Sequence, residues 1–187
     1  MTLRAETLVE TPAESASLAA LRHAAGESDG VMEGHCLRCF RLCELLAKKH
    51  NADLDREVML CAAFLHDIGL YDSVSEGGVY TEEGGAEARR IATEHGWDSR
   101  RADLCAEACA KHHSIKSQWD QGTEVEVLRL ADRIEVTAGI STGGLDRAQI
   151  KEVFVESPRD GFYHGLYEVV WPNLRSRPLT IPKIFKP

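Results

Sequence analysis

Six polar residues of chemically capable types lie inside apolar stretches of this chain: His35, His66, Asp67, His112, His113 and Asp132. The sharpest pair is His66 and Asp67. The apolar run Met59 to Leu65 delivers them side by side, and Gly69 follows at once. Burying an imidazole and a carboxylate at the end of an apolar helix is costly unless both have a partner, and a divalent cation suits both. Neighbours on a helix point about 100° apart, so the pair reaches one ion only where the helix is ending, as Gly69 predicts. Asp132 stands within Val127-Leu-Arg-Leu-Ala-Asp-Arg-Ile-Glu-Val136. With Arg133 beside it, Asp132 is either half of a core ion pair or a ligand. Taken together, His35, His66, Asp67 and Asp132 offer two neutral imidazoles and two carboxylates. Such a set neutralises a dication and leaves one or two positions for water, the pattern of a catalytic rather than a structural site. Zn, Mn or Fe suits it best, with Mg or Ni as further options.

These residues need helices to position them, and the helix signals are strong. Thr11-Pro12-Ala13-Glu14 reads as a capping box with proline in the first turn, opening a helix that stops at Gly26. Ser28-Asp29-Gly30 opens a second helix, over about 31 to 50, which carries His35 beside the stripe Met32, Cys36, Phe40, Cys43. Asp53 is expected to cap the third, whose face Leu54, Val58, Cys61, Leu65 leads to His66-Asp67. Residues 69 to 81 form a glycine- and serine-rich loop beside the site, with the length of a lid. A fourth helix starts at Thr81 and closes at Gly96; Asp98 or Ser99 caps a fifth that runs to about His113. Thr123-x-x-Glu126 reads as a second capping box, for a helix through Ala138, and Asp146 caps a shorter one. A last amphipathic helix over about 161 to 170 should kink or end at Trp171-Pro172, and the proline-rich tail should not be helical. No segment alternates with period two. The expected fold class is all-α, one domain over residues 1–187, with a core at about 30–140, an N-terminal helix before it and a helical extension after it.

The net charge of -8 and a pI near 5.5 argue against nucleic acid or an anionic membrane surface as partner. No apolar run approaches the roughly 18 residues a membrane span needs. The cytoplasm is the expected location, a small molecule the expected substrate, and a homodimer the one assembly left open. Cys36, Cys39 and Cys43 share one helical face, and Cys105 and Cys109 another, as small core residues do. The sharper alternative is a zinc site built from Cys36, Cys39, Cys105 and Cys109, for which mid-helix Cys-x-x-Cys geometry is poor.

The order His35…His66-Asp67…Asp132 resembles the HD-domain superfamily of metal-dependent phosphohydrolases. Phe64-Leu-His-Asp-Ile-Gly69 and Leu130-Ala-Asp-Arg-Ile134 look like that family's second and last motifs. The resemblance implies an all-helical core around the metal. Tyr80-Thr-Glu-Glu-Gly-Gly-Ala-Glu87 and the tail Phe162 to Lys186, notably Arg177-Pro-Leu-Thr180, are similar to cyanamide-hydratase-like members, which add water across a small nitrile-type bond. Other HD branches hold two metals with extra histidines between the HD pair and the last Asp. His112 and His113 match one of those positions; where the other falls, this chain has Glu82, Glu83 and Glu87. One ion is therefore expected.

The expected activity is hydrolysis of a small phosphoester or nucleotide, or hydration of a nitrile-like bond, by a metal-activated water, with Asp67 holding the water's proton. His112 or His113 is expected to point inward, as a proton donor, a substrate clamp or a satisfied core histidine. Lys111, Lys116 and Arg133 are candidates for binding a substrate anion, or ordinary solvated cations. Two rivals stand beside this activity: a di-iron oxygenase of the same superfamily, and an inactive HD scaffold that only binds a ligand.

Overall fold

The structure, a computed structural model, describes residues 3–26 and 30–185. Among these residues it is helical throughout: α1 (Pro12–Ala25), α2 (Gly30–His50), α3 (Arg56–Leu65), α4 (Tyr80–Glu94), α5 (Ser99–Lys111), α6 (Thr123–Val136), α7 (Arg147–Glu156), α8 (Phe162–Ser176) and the short α9 (Ile181–Ile184). The all-α fold expected from the sequence is the fold observed. No helix among the described residues is long and apolar enough to cross a membrane. The expected start of α2 at Ser28-Asp29 lies outside the described residues.

The apolar α3 runs through the middle of the molecule, every residue from Val58 to Leu65 buried, with α1, α2 and α5 packed around it. The α2 helix lies against α6, and α4 against α5. Phe40, Leu42 and Leu46 of α2 meet Phe64, Met59 and Leu60 of α3 in one continuous core. All six cysteines are buried and none is paired. The Cys105 and Cys109 thiols donate weakly to the Val58 and Ala62 carbonyls of α3, at 3.8 and 3.7 Å, which is the packing role expected of them.

Local signals held where the cap is set by nearby sequence. Thr11 and Glu14 form the capping box of α1, Asp98 caps α5, and Asp146 with Gln149 caps α7. Four expectations fail. The cap of α3 is Asp55 rather than Asp53, because the Arg101 guanidinium holds the Asp55 carboxylate at 2.8 and 2.9 Å, where it accepts the Val58 N–H. Gly122 rather than Thr123 caps α6: the Glu126 carboxylate that should reach back accepts from the Gln118 N–H at 2.6 Å and from Arg129. The α8 helix continues through Pro172 to Ser176, with the proline on an exposed face. The tail is also helical, as a turn at Pro178–Thr180 followed by α9, whose Pro182 occupies a first-turn position where its missing N–H has no role.

The loop after the HD pair opens with a tight turn, Ile68–Leu70, and its far part is wrapped around one side chain. Glu83 of α4 accepts the Glu76 and Gly78 backbone N–H groups at 2.9 and 2.6 Å and the Ser75 hydroxyl. The two ends of the loop are clamped by glycines. A Cβ on Gly69 would fall 2.1 Å from the Tyr80 carbonyl oxygen, and one on Gly84 3.1 Å from the His66 and Leu65 carbonyls. Only residues without a side chain let the start of α4 lie directly on the turn that carries His66 and Asp67.

Candidate metal centre

Two helix ends and two helix interiors meet at one point. His35 comes from the second turn of α2. His66 is the C-cap of α3, and Asp67 follows with φ -103 and ψ 3, already out of the helix, as the ending turn required. Asp132 lies within α6, and His112 is the C-cap of α5. All five are buried.

The hydrogen bonds fix which nitrogen of each ring faces inward. The Nδ1 of His35 is 3.0 Å from the Glu135 carboxylate, that of His66 is 2.9 Å from the Ala63 carbonyl, and that of His112 is 2.6 Å from the Cys109 carbonyl. Carbonyls and carboxylates only accept, so each Nδ1 donates and each Nε2 presents a lone pair. Those lone pairs converge. His35 Nε2 and His66 Nε2 are 3.0 Å apart, an approach that two lone pairs tolerate only with a positive charge between them. The buried His112 Nε2 makes no hydrogen bond and lies 3.4 Å from Asp67 Oδ1. Asp67 Oδ2 faces His66 and His35 at 3.4 and 3.5 Å, and Asp132 Oδ1 faces His35 at 3.6 Å.

This donor set of imidazole nitrogens and carboxylate oxygens fits a divalent cation, with the outer ring nitrogens bonded as they are around metals. Burial opposes charge on every group, yet the neighbours win. The imidazoles of His66, His112 and His35 hold the Asp67 carboxyl well below the usual carboxylate range. Against the pull of burial, Cys39, Glu135 and Asp67 raise His35, and Asp67 raises His112.

Each carboxylate also turns an oxygen the other way. Asp67 Oδ1 faces His112, and Asp132 Oδ2 is 3.5 Å from His113 Nδ1. The cluster therefore has two halves, one with His35 and His66 and one with His112 and His113, joined by Asp67 and Asp132. Burial and the neighbouring His112 push His113 down to about 4. Cys39 is close to the first half, but its sulfur lies 3.9 and 3.8 Å from the two nitrogens of His35. Near-equal distances put it on the side of the ring, off the Nε2 lone-pair axis, where it packs.

The three expected anion binders separate. The Lys111 ammonium is turned to Glu107 at 2.8 Å and Gln121 at 3.2 Å, so it pairs with surface groups rather than with the cluster. Lys116 is exposed on the loop after His113. Arg133 is exposed too, but its guanidinium reaches the Ser114 carbonyl at 3.4 Å, beside the His113 segment.

A buried charge network behind His35 was not anticipated. Glu135, fully buried, accepts from Arg38 Nε at 2.6 Å and Arg159 Nε at 3.1 Å besides its contact with His35. Burial alone would raise its carboxyl; the charges of His35 and Arg38 outweigh that and lower it to about 2. Phe162 stacks on the other side of the His35 ring, 5.1 Å between centroids at 19°. The sequence did hold a signal for Glu135: it follows Asp132 by three positions and so shares its helical face in an otherwise apolar helix.

No curated protein matches this chain. The HD-domain family model matches residues 32–137, a stretch that begins just before His35, ends just after Glu135 and covers more than half of the 187 residues. By that match the chain belongs to the HD-domain family.

Proposed function

We propose that the protein is a metal-dependent hydrolase that uses an activated water on a small molecule. The observation that carries this is the inward convergence of Nε2 lone pairs from His35, His66 and His112 on the Asp67 and Asp132 carboxylates. His35, His66, Asp67 and Asp132 would hold a divalent ion. Bound there, such an ion supplies an acidified water and polarises the electrophile. Asp67 is placed to hold the attacking water's proton, since its Oδ1 is turned from the His35 half toward His112. His113, at the edge of the cluster and pushed down to about 4, would meet the substrate as a neutral imidazole that accepts a hydrogen bond or a proton. Glu135 and Phe162 fix the plane of the His35 ring, so its lone pair keeps one direction.

Phosphoesters are the first substrate class for a member of this family. Hydration of a small nitrile-type bond is the second, favoured by the aromatic neighbours of His113, Tyr80 at 6.1 Å and Phe185 at 5.8 Å between ring centroids. On the metal count, the reading with one ion competes with a second ion in the His112/His113 half, favoured by the way Asp67 and Asp132 divide their oxygens. Metal analysis of the purified protein, followed by turnover assays on phosphomonoesters, nucleotides and small nitriles, tests the proposal. A protein that takes up no divalent ion, or that takes one up without involving His66, refutes it.

A further inference from the structure

The cluster is closed almost everywhere. The side chains of His35, His66 and His112 are 0% exposed, Asp132 5% and Asp67 8%, whereas His113 is 27% exposed. His113 is the most exposed side chain of the cluster and so marks its open edge. The ring of His113 is bounded by Tyr80 at 6.1 Å on one side and by Phe185 at 5.8 Å on another. Phe185 belongs to the short helical tail, which lies outside the residues matched by the family.

That tail is fastened at two places. Ile184 is buried in a small apolar cluster of its own with Leu70, Val79 and Tyr80, against which Val169, Val170 and Leu174 of α8 pack. At the junction between α8 and the tail, the Arg177 guanidinium donates to the Ser75 hydroxyl and lies 3.7 Å from Glu83 and 3.9 Å from Asp72. Glu83 is the same carboxylate that holds the loop after the HD pair. Arg177 therefore ties the tail to the loop that starts beside Asp67. Between these fastenings the segment is thinly held: Pro178, Leu179, Pro182 and Lys183 are exposed, and Phe185 itself is 48% exposed.

We propose that residues 178–185 form a strap across the entrance to the metal centre, latched by Arg177, and that Phe185 sets the size of the molecule that passes His113. The proposal rests on reading the cluster as the functional site. A segment held by one buried aliphatic side chain and the contacts of one arginine opens far more readily than the core beneath it, which is what an entrance needs.

The test separates the strap from the metal. Diethyl pyrocarbonate ethoxyformylates a neutral imidazole nitrogen and releases ethanol and carbon dioxide. Its rate at His113, read by peptide mass spectrometry in metal-free protein, is compared with that at the exposed His23 of α1. Phe185→Ala and Arg177→Met should each raise the His113-to-His23 ratio by about fivefold or more, as expected for loss of a local closing contact. Leu179→Ala, at a side chain that is 85% exposed, should leave it unchanged. Circular dichroism confirms that the variants stay folded. An unchanged ratio in both variants overturns the strap, whatever the protein does with metal. With zinc loaded, the same two variants should also release the ion to EDTA faster. Faster labelling with unaltered zinc release would overturn the claim that the strap guards the ion. A wild-type protein that never retains zinc refutes the metal reading, while the labelling still decides the strap.

Discussion

Replacing Glu135 with glutamine removes one charge from the network behind His35 and keeps its shape. The carboxyl sits at about 2 in the folded protein against a usual 4.5, so its ionised form is favoured by folding. A shift of that size corresponds to about 3 kcal/mol, at 1.36 kcal/mol for each unit. The side chain is fully buried, so solvent does little to weaken the figure. Arg38, itself 2% exposed, would lose its ion pair with Glu135, a loss of the same order for a broken buried pair. The melting temperature of metal-free Glu135→Gln at pH 7 should therefore fall by roughly 6–12 °C for a chain of this length. The pH dependence gives the sign. A depressed carboxyl stabilises fully above its unfolded value and loses that contribution as pH falls toward the folded one. The gap between wild type and variant should thus be constant from pH 7 to about 5.5 and shrink by about 1.4 kcal/mol by pH 3.5. Metal affinity should weaken about 10- to 100-fold, since His35 loses the acceptor that orients it. Urea or thermal melts over that pH range, with a competing chelator for affinity, measure all three. A variant as stable as wild type at pH 7, or a gap that does not narrow in acid, refutes the reasoning.

Further outcomes follow from the same geometry. His66→Ala should abolish stoichiometric metal binding, because it removes a lone pair from the centre; atomic absorption on the purified variant reads this directly. His112→Ala should keep one ion per chain and lose turnover if the His35 half alone binds metal, whereas a fall from two ions to one would establish the second half as a metal site. Gly69→Ala puts a methyl group into the Tyr80 carbonyl oxygen, and the backbone must move on one side or the other. It should cost about 3 kcal/mol or prevent folding, measured by denaturant melts. A Gly69→Ala protein with an unaltered melt would show that the turn and α4 are not held as described.

What could be read from the sequence depended on how local its cause was. The capping box at Thr11, the stop at Gly26 and the end of α3 at His66 are settled within a few residues, and all were legible. So was the meeting of His35, His66, Asp67 and Asp132 in one buried cluster, because a charged or imidazole side chain in an apolar helix needs a partner wherever the chain puts one. Asp55 displaced Asp53 as a cap because Arg101, on another helix, selects it. Glu126 left its capping box because Gln118 and Arg129 claim it. Pro172 failed to stop α8 because its exposed position lets a helix tolerate the missing bond. Lys111 was proposed from its nearness in sequence to His112, yet the turn of α5 directs it to Glu107. Glu135 had the right spacing, three positions after Asp132 on one helical face, and went unread because its partners Arg38 and Arg159 come from distant parts of the chain.

Arg159 and Phe162 come from beyond residue 137, yet both bear on His35, one through Glu135 and one through its ring. The portable unit in this chain is consequently larger than its family signature. A fragment trimmed to residues 32–137 would carry the His and Asp residues of the cluster while losing one of the two guanidiniums on Glu135 and the aromatic wall of the first histidine. Anyone grafting this centre onto another scaffold, or swapping it with that of a relative, would need to move the segment after α7 along with it. Changes on the two sides of that boundary should accordingly be accepted only in combination.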